Sequence, residues 1–218
     1  MSDYSGKWLK LGSVQNLLDV YSLAFPEEIE AGTDWYGKAN EWARTLAKQV
    51  GINVNTIIDI VASLSPNNAW ERNKSDTLLL INSWQAGITD PKEIKCATFN
   101  NQVQKALDIL SGKYTKLIGG KVENFAHNIR RPETVADEVV TVDRWAFRAW
   151  IWNSRQSATL SPAMMKRIAK DYQIAAKMVG KTPRDFQAIV WLVVRRAGNN
   201  GKAKVCGLDR LKAQLRLF

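Results

Sequence analysis

The chain has little of what several common site chemistries need. Its 218 residues include two cysteines, Cys96 and Cys206, and one histidine, His127. Two thiols cannot build a disulfide scaffold, a four-cysteine zinc site or an iron–sulfur cluster. A single imidazole argues against Ser-His-Asp catalysis, which would need His127 itself, and excludes a metal held by several histidines. No metal and no cofactor is expected. Long apolar runs are missing as well. The longest, Ala188 to Val194, is far short of the ~20 residues that span a bilayer. Met1 to Lys10, with Asp3 and Lys7, holds no apolar core of signal-peptide length. These absences point to an intracellular, cytoplasmic protein with no membrane partner.

Acidic residues are also in deficit. Asp and Glu total 21 against 31 Lys and Arg, which gives a net charge of +10 and a pI of about 9.7. Such an excess favours a polyanionic partner, with general solubility as the plain alternative. The excess is concentrated at the C-terminal end. Between Lys181 and Phe218 there are nine basic residues, Arg195 and Arg196 among them, and two acids. That concentration suits a phosphate-binding surface. Hydrophobic content is 45% and charged content 24%, so the chain can bury a real core in one domain or in two small intertwined lobes.

Strand alternation is absent over any useful length, and Val139–Val142 is too short and isolated to make a sheet. Helical spacing dominates instead. Trp35, Ala39, Trp42, Ala43, Leu46 and Val50 form one stripe, with Gly51 as its stop. Thr56 is placed to cap a helix burying Ile57, Ile60, Val61 and Leu64. Further stripes carry Leu78 to Trp84, Val103 to Leu110, and Val122 to Ile129. Ser161-Pro162 and Thr182-Pro183 are strong helix starts, the second with Asp185 at the third helical position. The expectation is an all-α chain of nine or ten helices.

Three segments carry chemistry. Leu64 to Lys74 (LSPNNAWERNK) joins two apolar helices. Its Asn67, Asn68, Trp70 and Asn73 suit insertion into, or stacking on, nucleobases, although Pro-Asn-Asn is also ordinary turn chemistry. Tyr114 to Phe125 contains Gly119-Gly120-Lys121, a tight turn into a helix whose backbone N–H groups can hold a phosphate; a plain glycine turn is the commoner case. Val140 to Trp150 (VTVDRWAFRAW) delivers Asp143 to a helix start, with Trp145 beside it and Arg144 and Arg148 one turn apart. An Asp there is a good N-cap, and a carboxylate in that setting can also stabilise a developing cation. Gln187, one turn before Trp191 on an otherwise apolar helix, can read a base or bond Asp143; a satisfied core amide is the plainer role.

Order and spacing tie the three together. Leu64-Ser65-Pro66-Asn67 followed by Asn73-Lys74, the stretch Thr115 to Lys121, and Val142-Asp143 with Arg148 resemble three motifs of the helix-hairpin-helix DNA glycosylase superfamily, the endonuclease III-like fold. The resemblance covers about Ile57 to Trp150. It departs from the family at Leu117, where the first hairpin glycine would stand, and at Arg144-Trp145, where Thr-His is frequent. The cysteines that hold an iron–sulfur cluster in some members are absent. A compact, cluster-free member of phage or mobile-element origin in a bacterial host fits that pattern.

The resemblance implies a two-lobed helical fold with the active site in the cleft between lobes. Residues 52–131 would form the central lobe, ending in the hairpin, and 1–51 with 132–218 the second. It implies a monomer that binds double-stranded DNA and flips a nucleotide out of the stack. Asn67 would fill the gap, Trp70, Trp145 and Gln187 would form the base pocket, and Asp143 would stabilise an oxocarbenium-like sugar. Asn68, Asn73, Gly119, Gly120, Arg144, Arg148, Arg195 and Arg196 would contact DNA. Lys121 sits where bifunctional relatives place a lysine that attacks the sugar and cuts the strand. Two other outcomes stay open: an enzyme on the same fold acting on hypermodified or activated bases, and an inactive DNA-binding module.

Overall fold

The computed structural model describes residues 11–113, 117, 120–134, 138–153 and 159–199. Among them all regular structure is helical: α1 (Val14–Ser22), α2 (Pro26–Thr33), α3 (Trp35–Val50), α4 (Val54–Leu64), α5 (Trp70–Gln85), α6 (Asn100–Leu110), α7 (Gly120–Arg130), α8 (Arg144–Trp150), α9 (Pro162–Met178) and α10 (Pro183–Asn199). Among the described residues no helix is long and apolar enough to cross a membrane.

Local chemistry sets most of the boundaries. Ser161 Oγ accepts from Met164 N at 3.2 Å, with Pro162 as first residue of α9. Thr182 Oγ1 accepts from Asp185 N at 3.3 Å to open α10. Two expectations are corrected. Thr56 does not cap α4; Asn53 does, accepting from Asn55 N at 2.8 Å, so the helix starts earlier and Thr56 lies inside it. The segment Leu64–Lys74 is not one long loop either. Helix α5 already begins at Trp70, and Asn73 N closes onto Ala69 O at 2.7 Å.

The chain divides into two compact units, residues 1–36 with 133–218, and Gly37–Pro132. In the first unit α10 is central and packs on α1, α2, α8 and α9. Its core holds Leu17, Val20, Phe147, Trp150, Ile168, Tyr172, Phe186 and Val190. Each such side chain contributes roughly 1.5–3 kcal/mol on burial. Helix α2 approaches α10 so closely that a Cβ on Gly32 would lie 2.4 Å from Ile189 Cγ1 and 2.7 Å from Ile189 N.

The second unit is built around α4, which packs on α5, α6 and α7. Ile57, Ile58, Ile60, Val61 and Leu64 are all buried, so α4 is apolar nearly all round. Arg130 of α7 pairs with Asp59 of α4. Burial pushes the Asp59 carboxyl above its ordinary range, and Arg130 opposes that rise. This unit begins at Gly37, not at residue 52. Asn40 Nδ2 donates to Ile129 O at 2.8 Å, and Trp42 meets Trp70 edge-on at 5.5 Å, so most of α3 belongs here.

Candidate functional site

Asp143 sits in the first unit. Val140, Thr141 and Val142 are buried and lead the chain to a half-buried carboxylate that caps α8. Asp143 Oδ1 accepts from Trp145 N at 2.9 Å and from Ala146 N at 2.8 Å. Behind the cap lies Tyr172, fully buried, whose hydroxyl donates to Ala146 O at 3.2 Å. Burial first, and the Asp143 charge second, hold that phenol protonated well above its usual range. The carboxylate therefore acts electrostatically on the dry core behind it. On its other flank the half-buried Trp145 ring carries two guanidiniums, Arg148 at 4.9 Å and Arg144 at 5.7 Å from the centroid. An exposed pairing of this kind is worth about 0.5–1 kcal/mol. Arg144 follows the acid directly, and Arg148 lies five residues after it on the same helix.

Gln187 is buried, and Tyr36 Oη donates to its Oε1 at 3.1 Å. The same hydroxyl lies 3.4 Å from Thr141 Oγ1, two residues before Asp143. Gln187 is thus a core amide that steadies the approach to Asp143. Trp191, one turn on, meets Trp35 edge-on at 6.1 Å and carries the Arg195 guanidinium at 4.5 Å. Arg196, expected on a phosphate surface, is committed elsewhere. Its Nε donates to Glu28 Oε1 at 2.8 Å, and Nη2 donates to Leu23 O at 2.8 Å and Glu28 Oε2 at 3.1 Å. That bidentate pair ties α10 to α2 and makes Arg196 a structural residue.

The asparagine loop belongs to the second unit. Asn67 is exposed with φ 58°, at the tip of the turn. Asn68 Nδ2 donates to Asp76 Oδ2 at 2.9 Å. Asn73, expected to touch DNA, is 1% exposed, and its amide donates to Val61 O at 2.8 Å. It is a helix–helix clamp, buried because α5 starts before it. Trp70 is half-buried, with Phe125 edge-on at 6.5 Å and Lys74 Nζ 5.9 Å from its centroid. Gly120, φ 71°, opens α7, and Lys121 is half-buried in its first turn. Gly119 and the basic residues from Lys202 onward lie outside the described residues.

The first unit therefore brings together Asp143, Arg144, Trp145 and Arg148, with Gln187 behind the segment that carries them. The second holds Asn67, Asn68, Trp70, Gly120 and Lys121. Asp76 escaped the sequence reading. It is 1% exposed and accepts from Asn68 Nδ2, Arg72 Nε at 2.8 Å and Ala97 N at 2.7 Å, which fixes the asparagine loop. Its signal was an acid on the α5 face shared with Asn73 and Leu80. Tyr36 reads in the sequence as half of an aromatic pair suited to core packing, and it is buried; its bond to Gln187, 151 residues away, left no sequence signal. Among the described residues no three His, Cys, Asp or Glu side chains gather as a metal ion would need. Residues 8–198 match the model of a protein family described as a family of unknown function, DUF7178. No curated protein and no solved structure matches the chain.

Proposed function

The chain belongs to the DUF7178 family, and we propose that it is a DNA N-glycosylase that flips a modified or damaged base from duplex DNA and hydrolyses its glycosidic bond. On this proposal the helical chain has a helix-hairpin-helix glycosylase-like fold. The observation that carries it is the setting of Asp143. The carboxylate is anchored by two backbone N–H bonds, backed by the buried Tyr172, and flanked by a tryptophan bearing two arginines. Such an acid is held at a fixed point beside low-dielectric core and close to cations that suit a DNA backbone. Developing positive charge on a deoxyribose placed there is stabilised without reorganisation. Arg144 and Arg148 contact phosphate, Trp145 packs on the base or its neighbour, and Asn67, exposed on its turn, fills the vacated stack.

Lys121 is the branch point. If its amine attacks the sugar, a Schiff base forms and the strand is cut; if it contacts phosphate, only the base is released.

Asp143→Asn separates the two roles of the acid, because asparagine caps a helix about as well as aspartate. Duplexes containing uracil, alkylated, oxidised or hypermodified bases are incubated with protein and then treated with alkali. The wild type should release a base from one of them, and Asp143→Asn should bind that duplex and release none. Undiminished release by the variant overturns the assignment of Asp143. Binding without release from any substrate leaves a DNA-binding module. Strand breakage before alkali, together with a covalent protein–DNA adduct formed when borohydride reduces the Schiff base, both lost in Lys121→Gln, assigns the lyase branch.

A further inference from the structure

We propose that the exposed face of α9 is a second DNA-backbone contact, carried by Lys166, Lys170 and Lys177 and separate from the Asp143 site. All three lysines are exposed. At 3.6 residues per turn they fall within about 40° of one another around the helix, so they form a single row. At 1.5 Å per residue the row is about 16 Å long. One strand of B-form DNA presents about five phosphates over that distance. The only acid in α9 is Asp171, which is buried off this row and already accepts from Trp150 Nε1 and Arg167 Nε. Glu138 borders the row where Gln173 Nε2 donates to its backbone carbonyl at 2.8 Å, and its one carboxylate does not offset three ammoniums.

The apolar face of α9 favours nucleic acid over a lipid surface. Met164, Ile168, Tyr172, Ala175 and Ala176 are spent on the core of the unit. Beside the lysines only Ile174, 42% exposed, and Met178, 64% exposed, remain as large apolar groups. Two side chains are too little apolar surface to seat a helix in a bilayer interface. A row of like charges also repels its own copy.

This inference rests on DNA being the partner, and salt titration separates the two. Binding of a short duplex of arbitrary sequence is measured by anisotropy across a range of salt for wild type, a Lys166→Gln/Lys170→Gln/Lys177→Gln variant, and a control, Lys92→Gln/Lys95→Gln/Lys105→Gln, that removes three exposed lysines of the other unit. Each lost phosphate contact lowers the slope of log K against log salt by about 0.9, so the α9 variant should lose about 2.7 and the control nothing. Circular dichroism checks that both variants stay folded. A wild type that binds DNA with a slope unchanged in the α9 variant, or lowered equally in the control, overturns the α9 surface and leaves the glycosylase proposal standing. A wild type that binds no DNA overturns both. Binding to phosphatidylcholine–phosphatidylserine vesicles in preference to DNA, lost in the α9 variant, assigns the row to a membrane and overturns it.

Discussion

Each unit contains the same small device put to a different use. In the second unit Arg72 pairs with Asp76, and in the first Arg167 pairs with Asp171. In both the arginine stands four residues before the acid, and its side chain is more than half exposed while the acid is buried. What differs is the third party. Asp76 spends its oxygens on irregular chain: the Asn68 side chain and the Ala97 backbone N–H. Asp171 accepts from the indole of Trp150, a side chain on the helix that Asp143 caps. One acid shapes a loop, and the other fixes the placement of a helix. A buried carboxylate is tolerated only with its lone pairs filled, so each marks a place where the fold resists change.

Removing the acids should break this comparison most strongly, and unequally. Asp76→Ala leaves the partly buried Asn68 side-chain amide and the Ala97 backbone N–H without their acceptor, while Arg72 can turn to solvent. We expect a loss of about 2–4 kcal/mol in urea unfolding. Asp171→Ala strands only the Trp150 indole and should cost about 1–3 kcal/mol, with a shift in tryptophan emission. Equal losses in the two variants would mean that the loop contacts of Asp76 carry no more than the single indole bond.

The same contrast explains what the sequence revealed. Helix starts such as Ser161-Pro162 and Thr182-Pro183 were legible because the cap and its acceptor lie within three residues. The stripe of α3 was legible because its period repeats over sixteen residues. Helix α2 is not legible in this way. It has eight residues and buries only Gly32, so it carries no apolar stripe. Asn73 reads as a loop residue because a polar side chain gives no sign that its partner is a carbonyl of a neighbouring helix. The Asp143 cap was readable locally, but its backing by Tyr172 and the Tyr36–Gln187 bond join distant stretches of chain. Only packing reveals them.

Glycines sharpen the contrast at the next level of effect. Gly32→Ala must push α2 away from α10, since the added carbon meets Ile189 backbone as well as side chain. A loss of about 1–3 kcal/mol is expected in urea or thermal unfolding. In the second unit Gly51→Ala meets nothing within 4 Å but must hold φ at 70°, so the cost is conformational, about 1–2 kcal/mol. Asp143→Ala removes a cap and should cost about 1 kcal/mol, whereas Asp143→Asn should stay within a few tenths. A much larger loss for Asp143→Asn would mean that the negative charge itself holds α8, and the activity test would then need a second variant.

The smallest effect lies beside Asp76. Burial, and next the Asp76 charge, push the Cys96 thiol up to about 11, with Arg72 pulling the other way. The folded chain therefore favours the neutral thiol. The thiol makes no demand on stability at pH 7. The cost begins as pH rises past the unfolded thiol value of about 8.5 and grows until the folded thiol ionises. In a Cys206→Ser background, thiolate absorbance should show no ionisation of Cys96 near the ordinary value and a midpoint close to that raised one. Asp76→Asn should bring the midpoint down while keeping an oxygen for the Ala97 N–H. If Cys96 instead titrates at the ordinary value in the folded protein, the chain around Asp76 is open to water. The loop-shaping acid would then be a surface acid, and the distinction from Asp171 would fail.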